Sequence, residues 1–115
     1  MRIAELREKH HKAMEYAQYA MLANHHGDES EHKTLSGLAF DIEWEVAQAV
    51  EGNLDRAILS KSAAWLAIQA KRYANAQKGI NYGLSGEYVP EQIELELHEA
   101  QAELNRLIEL EGKND

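Results

Sequence analysis

A chain of 115 residues with 44% hydrophobic and 28% charged residues has the length of one domain and the balance of an ordinary globular protein. Its net charge of −8 argues against a nucleic-acid backbone as partner, because that surface calls for clustered Lys and Arg. With no cysteine, a disulfide framework, a thiolate metal site and a cysteine nucleophile are all excluded.

The acidity fits a neutral or basic partner and equally fits solubility alone. The opening MRIAELREKHHK is charged and lacks the apolar stretch of a signal peptide, and no run has the length of a membrane span, so a cytoplasmic location is expected. One proline, few β-branched runs and an excess of Ala, Leu, Glu, Gln and Lys predict helix throughout.

The first helix is predicted from Ile3 to His25, with Ile3, Leu6, Ala13, Ala17, Ala20 and Met21 on one face. Gly27 supplies the left-handed residue that ends many helices. Asp28 is placed to cap the second helix, and Glu31 to reach back to it as in a capping box. Along the second helix Leu35, Leu38, Ala39, Ile42, Val46, Ala49 and Val50 form the main apolar stripe. Phe40, Trp44 and Ala47 form another, while Asp41, Glu43, Glu45, Gln48 and Glu51 read as its solvated side. Gly52 is expected to end this helix and Asn53 to cap the next.

The third helix, Leu54 to Ala70, is apolar nearly all round, which places it between neighbours. A tight turn at Lys71 and Arg72 leads into a fourth helix whose buried face is Tyr73, Ala76, Ile80 and Leu84. Gly79 and Gly83 each cost about 1 kcal/mol relative to Ala inside a helix, so close packing is expected there. Pro90 opens a fifth helix with Ile93, Leu97, Ala100, Leu104, Leu107 and Ile108 on one face, fraying from Gly112 to Asp115. Five helices with short connections predict an up-and-down array, either a closed bundle or an open stack of hairpins.

The hairpin SAAWLAIQAKRYANAQKGINYGL, from Ser62 to Leu84, resembles a tetratricopeptide repeat (TPR). Ala64 and Ala76 stand at the positions where the two helices of such a repeat cross. Tyr73 takes the aromatic place and Gly83 the small place near the end. Lys71 departs from the pattern, which has glycine there, and in the looser first hairpin His32 stands where the repeat has alanine. The segments ILSKSAAWLA (Ile58 to Ala67) and GLSGEYVP (Gly83 to Pro90) are similar to those of small bacterial TPR-like helical proteins, with Lys61 in place of an arginine. The resemblance implies an all-α, TPR-like array of two hairpins plus a C-terminal helix in a single domain. It implies a scaffold that holds a protein or peptide segment in a short concave groove, and it implies no reaction.

In such an array the first helix of each hairpin lines the groove. The resemblance then puts Met21 and His25 there, with Met14, Ala17 and Asn24 beside them. Lys61, Trp65 and Gln69 follow from the third helix, and His98 from the fifth. Lys61 is the one charge in the most apolar stretch. It is placed to clamp a carboxylate of a partner, or to pair with an internal Glu. The clamp reading expects Lys61→Glu to leave the fold intact and to abolish capture. Trp65 is either an anchor for the partner or a core residue. If Phe40, Trp44 and Ala47 are exposed, they form the face of a homodimer, the alternative function.

Six histidines invite a metal site, the third reading. Neither H-x-x-x-H nor H-E-x-x-H occurs. Glu8 with His11 and Glu29 with His32 have Glu-x-x-His spacing, but in a hairpin turning at Gly27 His32 lies level with about Leu22, roughly 16 Å from His11. No metal ligand, cofactor or catalytic residue is assigned, and Ser60, Ser62 and Ser85 sit in no activating motif. The reading is a non-enzymatic interaction module binding through Met21, His25, Lys61, Trp65 and Gln69.

Overall fold

The computed structural model describes residues 1–112, which form five α-helices and, among the described residues, no strand. They are α1 (Ile3–His25), α2 (Glu29–Ala49), α3 (Asn53–Gln69), α4 (Tyr73–Leu84) and α5 (Glu91–Gly112). The expected fraying beyond Gly112 lies outside the described residues. No helix among them is long and apolar enough to cross a membrane.

Local chemistry sets the ends of the first two pairs. After α1, the N–H of Gly27 bonds to Asn24 O at 3.0 Å and that of Asp28 to Ala23 O at 2.9 Å, with Gly27 at φ 79°. This is the Schellman arrangement, which satisfies carbonyls the helix leaves free. Asp28 then caps α2 by accepting from the Glu31 N–H at 3.0 Å. The reciprocal half of a capping box does not form, because the Asp28 N–H is already engaged by Ala23. The turn after α3 repeats the geometry: Lys71 N–H to Ile68 O at 3.0 Å and Arg72 N–H to Ala67 O at 2.8 Å. Its left-handed residue is Lys71 at φ 59°, at the place where a TPR has glycine. Between α2 and α3 the expected ends move by a residue or more. Val50 leaves α2 in extended conformation, Gly52 is the N-cap, and Asn53 is the first helical residue, its amide oxygen accepting from Arg56 at 3.0 Å.

Consecutive helices pack on one another, and α3 also packs on α5. The assembly measures 41 × 26 × 20 Å, an open stack in which α1 lies against α2, and α5 against α3 and α4. One core cluster runs from Ala39 and Phe40 on α2 through the alanines of α3 to Ile80 on α4 and Leu104 on α5, with Met14, Tyr16 and Ala17 of α1 against it. Alanine dominates, so the helices approach closely and depend on shape more than on bulk. At Gly79 an added Cβ would lie 3.3 Å from the Ala64 Cβ, and at Gly83 it would lie 3.1 Å from the Ser60 Cβ and from a Leu97 methyl. At these two points the α3–α4 contact is close enough that a methyl group would press on its neighbours. Helix α5 covers the far side with Leu97, Ala100 and Leu104, all fully buried, while Ile108 at the end of the expected stripe is 49% exposed.

Helix α2 departs most from its expected orientation. Its buried residues are Ser36, Gly37, Ala39, Phe40, Glu43, Val46 and Ala47, while Leu38 of the main stripe is 42% exposed. The two stripes are the two flanks of one wide buried face, and Glu43 stands at its centre. The proposed dimer face is therefore corrected: Phe40 and Ala47 are covered by the chain's own helices, at 3% and 0% exposure. Trp44 is half-buried, stacked on Phe40 and edge-on to Tyr82 of α4, with centroids 5.4 Å apart.

Candidate binding site

Three of the five groove residues meet at one place. Met21 and His25 at the end of α1 and Gln69 at the end of α3 line an open cleft of about 510 Å³, together with Leu22, Asn24 and His32. The turn geometry explains the convergence: both Schellman turns stop their helices at the same end of the stack. His32, on the first turns of α2, donates through Nδ1 to the Ala20 carbonyl at 2.8 Å, since a carbonyl only accepts. The bond holds the ring beside the last turns of α1, at the level of Leu22 that an antiparallel hairpin requires. It also leaves Nε2 for the cleft. Met21 is 68% exposed, an apolar side chain in water. The side-chain amides of Asn24 and Gln69 have no partner among the described residues.

The other two residues are differently placed. Lys61 does not reach the cleft: its ammonium pairs with Glu96 of α5. That hydrogen bond, with a second from Gln92, holds the Glu96 carboxyl below its ordinary range. Lys61 is a strut between α3 and α5, so Lys61→Glu would set two carboxylates against each other and would not leave the stack untouched. Trp65 packs against the core cluster and is half-buried. His98 lies beside the α4–α5 connection, 3.6 Å from Glu94, away from the α1–α3 cleft.

Glu43 is the functional group that sequence reasoning placed wrongly. Its side chain is fully buried, with Oε1 2.8 Å from His10 Nδ1 and Oε2 accepting from Ser62 Oγ at 2.9 Å. One carboxylate on α2 thereby ties α1 to α3. An ionised carboxylate only accepts, so His10 Nδ1 is the donor and Nε2 is the free nitrogen. The order is Ser–Glu–His, with the carboxylate in the middle. A nucleophile needs the imidazole in the middle, so this is a structural junction and not a catalytic triad. A weak signal existed: Ser36 and Glu43 are seven residues apart, in line with Val50 and between the two stripes. The hydroxyls of Ser36 and Ser60 are buried with no partner among the described residues.

A second cleft, of about 560 Å³, opens at the other end of α1 and α3, with His10 in its wall. Among the described residues no group of three or more His, Asp or Glu side chains is arranged to hold a metal ion. Comparison with family models, with curated proteins and with solved structures finds no match.

Proposed function

We propose that this chain is a non-enzymatic, TPR-like interaction module that holds an extended segment of a partner protein across the ends of α1 and α3. The observation that supports it is the company Met21 keeps. An apolar side chain 68% exposed lies beside two side-chain amides without internal partners, in a cleft built from three helices. Asn24 and Gln69 each offer a donor and an acceptor, the pair that a peptide backbone needs. Met21 adapts its shape to a neighbouring apolar side chain. The net charge of −8 favours a segment with few acidic residues.

The test is selection of peptides from a displayed library on the wild-type chain, repeated on Met21→Asp and Gln69→Ala. Enrichment of a shared sequence that both substitutions reduce supports the site. No enrichment, or enrichment that survives both changes, sinks it.

A further inference from the structure

The opposite end of α1 and α3 carries features that segment binding does not use. The cleft there has apolar walls: Leu6 from α1, Val46 from α2, Val50 from the connection that follows it, and Leu59 from α3. Two of its lining side chains are apolar and exposed, Ile3 at 74% and Met1 at 59%.

Charges of both signs ring this mouth. Arg7 stands on the α1 side, and Glu51 and Asp55 stand on the α2–α3 side. None of the three has an ion-pair partner among the described residues, so all three are open to a partner across an interface. With a net charge of −8, two copies of the chain repel each other over most orientations. The pattern at this end is complementary to itself under a two-fold axis that runs between its two sides. Each residue i then meets j while j meets i, and the Arg7 of each copy faces the acidic pair of the other. A surface for an acidic ligand would be ringed by bases, and one for a basic ligand by acids. An apolar centre with a polar rim is the anatomy of a protein–protein contact, and a rim of both signs lets one surface serve on both partners.

We propose that this end of the stack is a homodimer interface, with a second copy of the chain as its occupant. Ile3 and Met1 enter the apolar centre, and Arg7 pairs across the axis with Glu51 and Asp55. The interface is independent of the proposed segment site, since Met21 lies roughly 20 Å further along α1 and stays open in the dimer.

The experiment is sedimentation equilibrium of the full chain over a concentration series, with circular dichroism confirming that each variant is folded. The wild type is expected to reach twice the 13.0 kDa chain mass. Ile3→Asp and Arg7→Glu are each expected to weaken association by about tenfold or more. Adding Glu51→Arg and Asp55→Arg to Arg7→Glu restores opposite charges across the axis and is expected to recover it. A 13.0 kDa monomer up to the solubility limit overturns the proposal. So does a dimer that neither single substitution weakens, or one that the charge reversal fails to restore.

Discussion

The two hairpins of this stack turn in the same way and are held by opposite means. Both close through a Schellman turn with one left-handed residue, Gly27 in the first and Lys71 in the second. The second hairpin is a dry contact of small residues, with Gly79 against Ala64 and Gly83 against Ser60. The first hairpin buries a carboxylate, and Glu43 of α2 bonds to His10 of α1 within it and to Ser62 of α3 in the second hairpin. The contrast teaches that contact within the second hairpin is a matter of volume. Registration of α1, α2 and α3 instead rests on directional polar bonds. Hydrogen bonds fix angle and register in a way that alanine against alanine does not.

The largest effect is expected at the polar junction. His10→Ala leaves the buried Glu43 carboxylate with Ser62 alone. Removing one partner of a buried pair costs about 3–5 kcal/mol. The His10 side chain is 40% exposed, so water can enter, and a loss of about 2–3 kcal/mol in urea unfolding is expected. Glu43→Met removes the charge as well as the need for its partner and should unfold within about 1 kcal/mol of wild type. If both variants lose stability equally, the junction is merely a packing site.

Next comes the dry contact. Gly83→Ala gains helix propensity but pushes a methyl group against Ser60 and Leu97. Overpacking of about 1–3 kcal/mol exceeds the gain of up to about 1 kcal/mol, so thermal unfolding should shift downward. A rise would mean that the helices separate without cost and that small volume is not what holds this hairpin.

A smaller effect belongs to the strut between α3 and α5. The Lys61 hydrogen bond lowers the Glu96 carboxyl, so folding favours its charged form. The stability it contributes is present above the ordinary carboxylate pKa and is lost as pH falls through the lowered one. Glu96→Gln should therefore lower stability in the neutral region, leave it nearly unchanged below the lowered pKa, and so flatten the acid limb of stability against pH.

The smallest effect lies in the turns. A non-glycine residue in the left-handed region costs about 1–2 kcal/mol, and glycine returns part of that as chain entropy. Lys71→Gly should stabilise by about 0.5 kcal/mol, and Gly27→Ala should destabilise by about 1 kcal/mol. Opposite signs in one melting experiment would show that the turns are equivalent and that only their residues differ.

The turns and helix bodies were legible because their causes are local. Gly27, Asp28 and Pro90 act on the residues beside them, and helical spacing reveals the faces of α4 and α5. The groove was legible only in part. Met21, His25 and Gln69 meet because both turns end at one level, which hairpin periodicity conveys. The partner of Lys61 stands 35 residues away on α5, and no local pattern selects Glu96 among so many glutamates. The dimer face at Phe40, Trp44 and Ala47 failed for a related reason. Two stripes on one helix read as a covered side and a free side, yet α2 has neighbours over both.

By itself, the sequence determined five helices, their ends to within a residue or so at most boundaries, and the small residues that let α3 and α4 meet. Propensity, capping and side-chain volume are properties of the residue and its near neighbours. Only the tertiary structure decided how far each helix turned into the core. That choice buried Glu43, tied Lys61 to Glu96, and left Met21 and Ile3 in water at opposite ends of α1. Helix rotation depends on which surfaces fit each other once all five helices are present, and a chain read one segment at a time does not contain that sum.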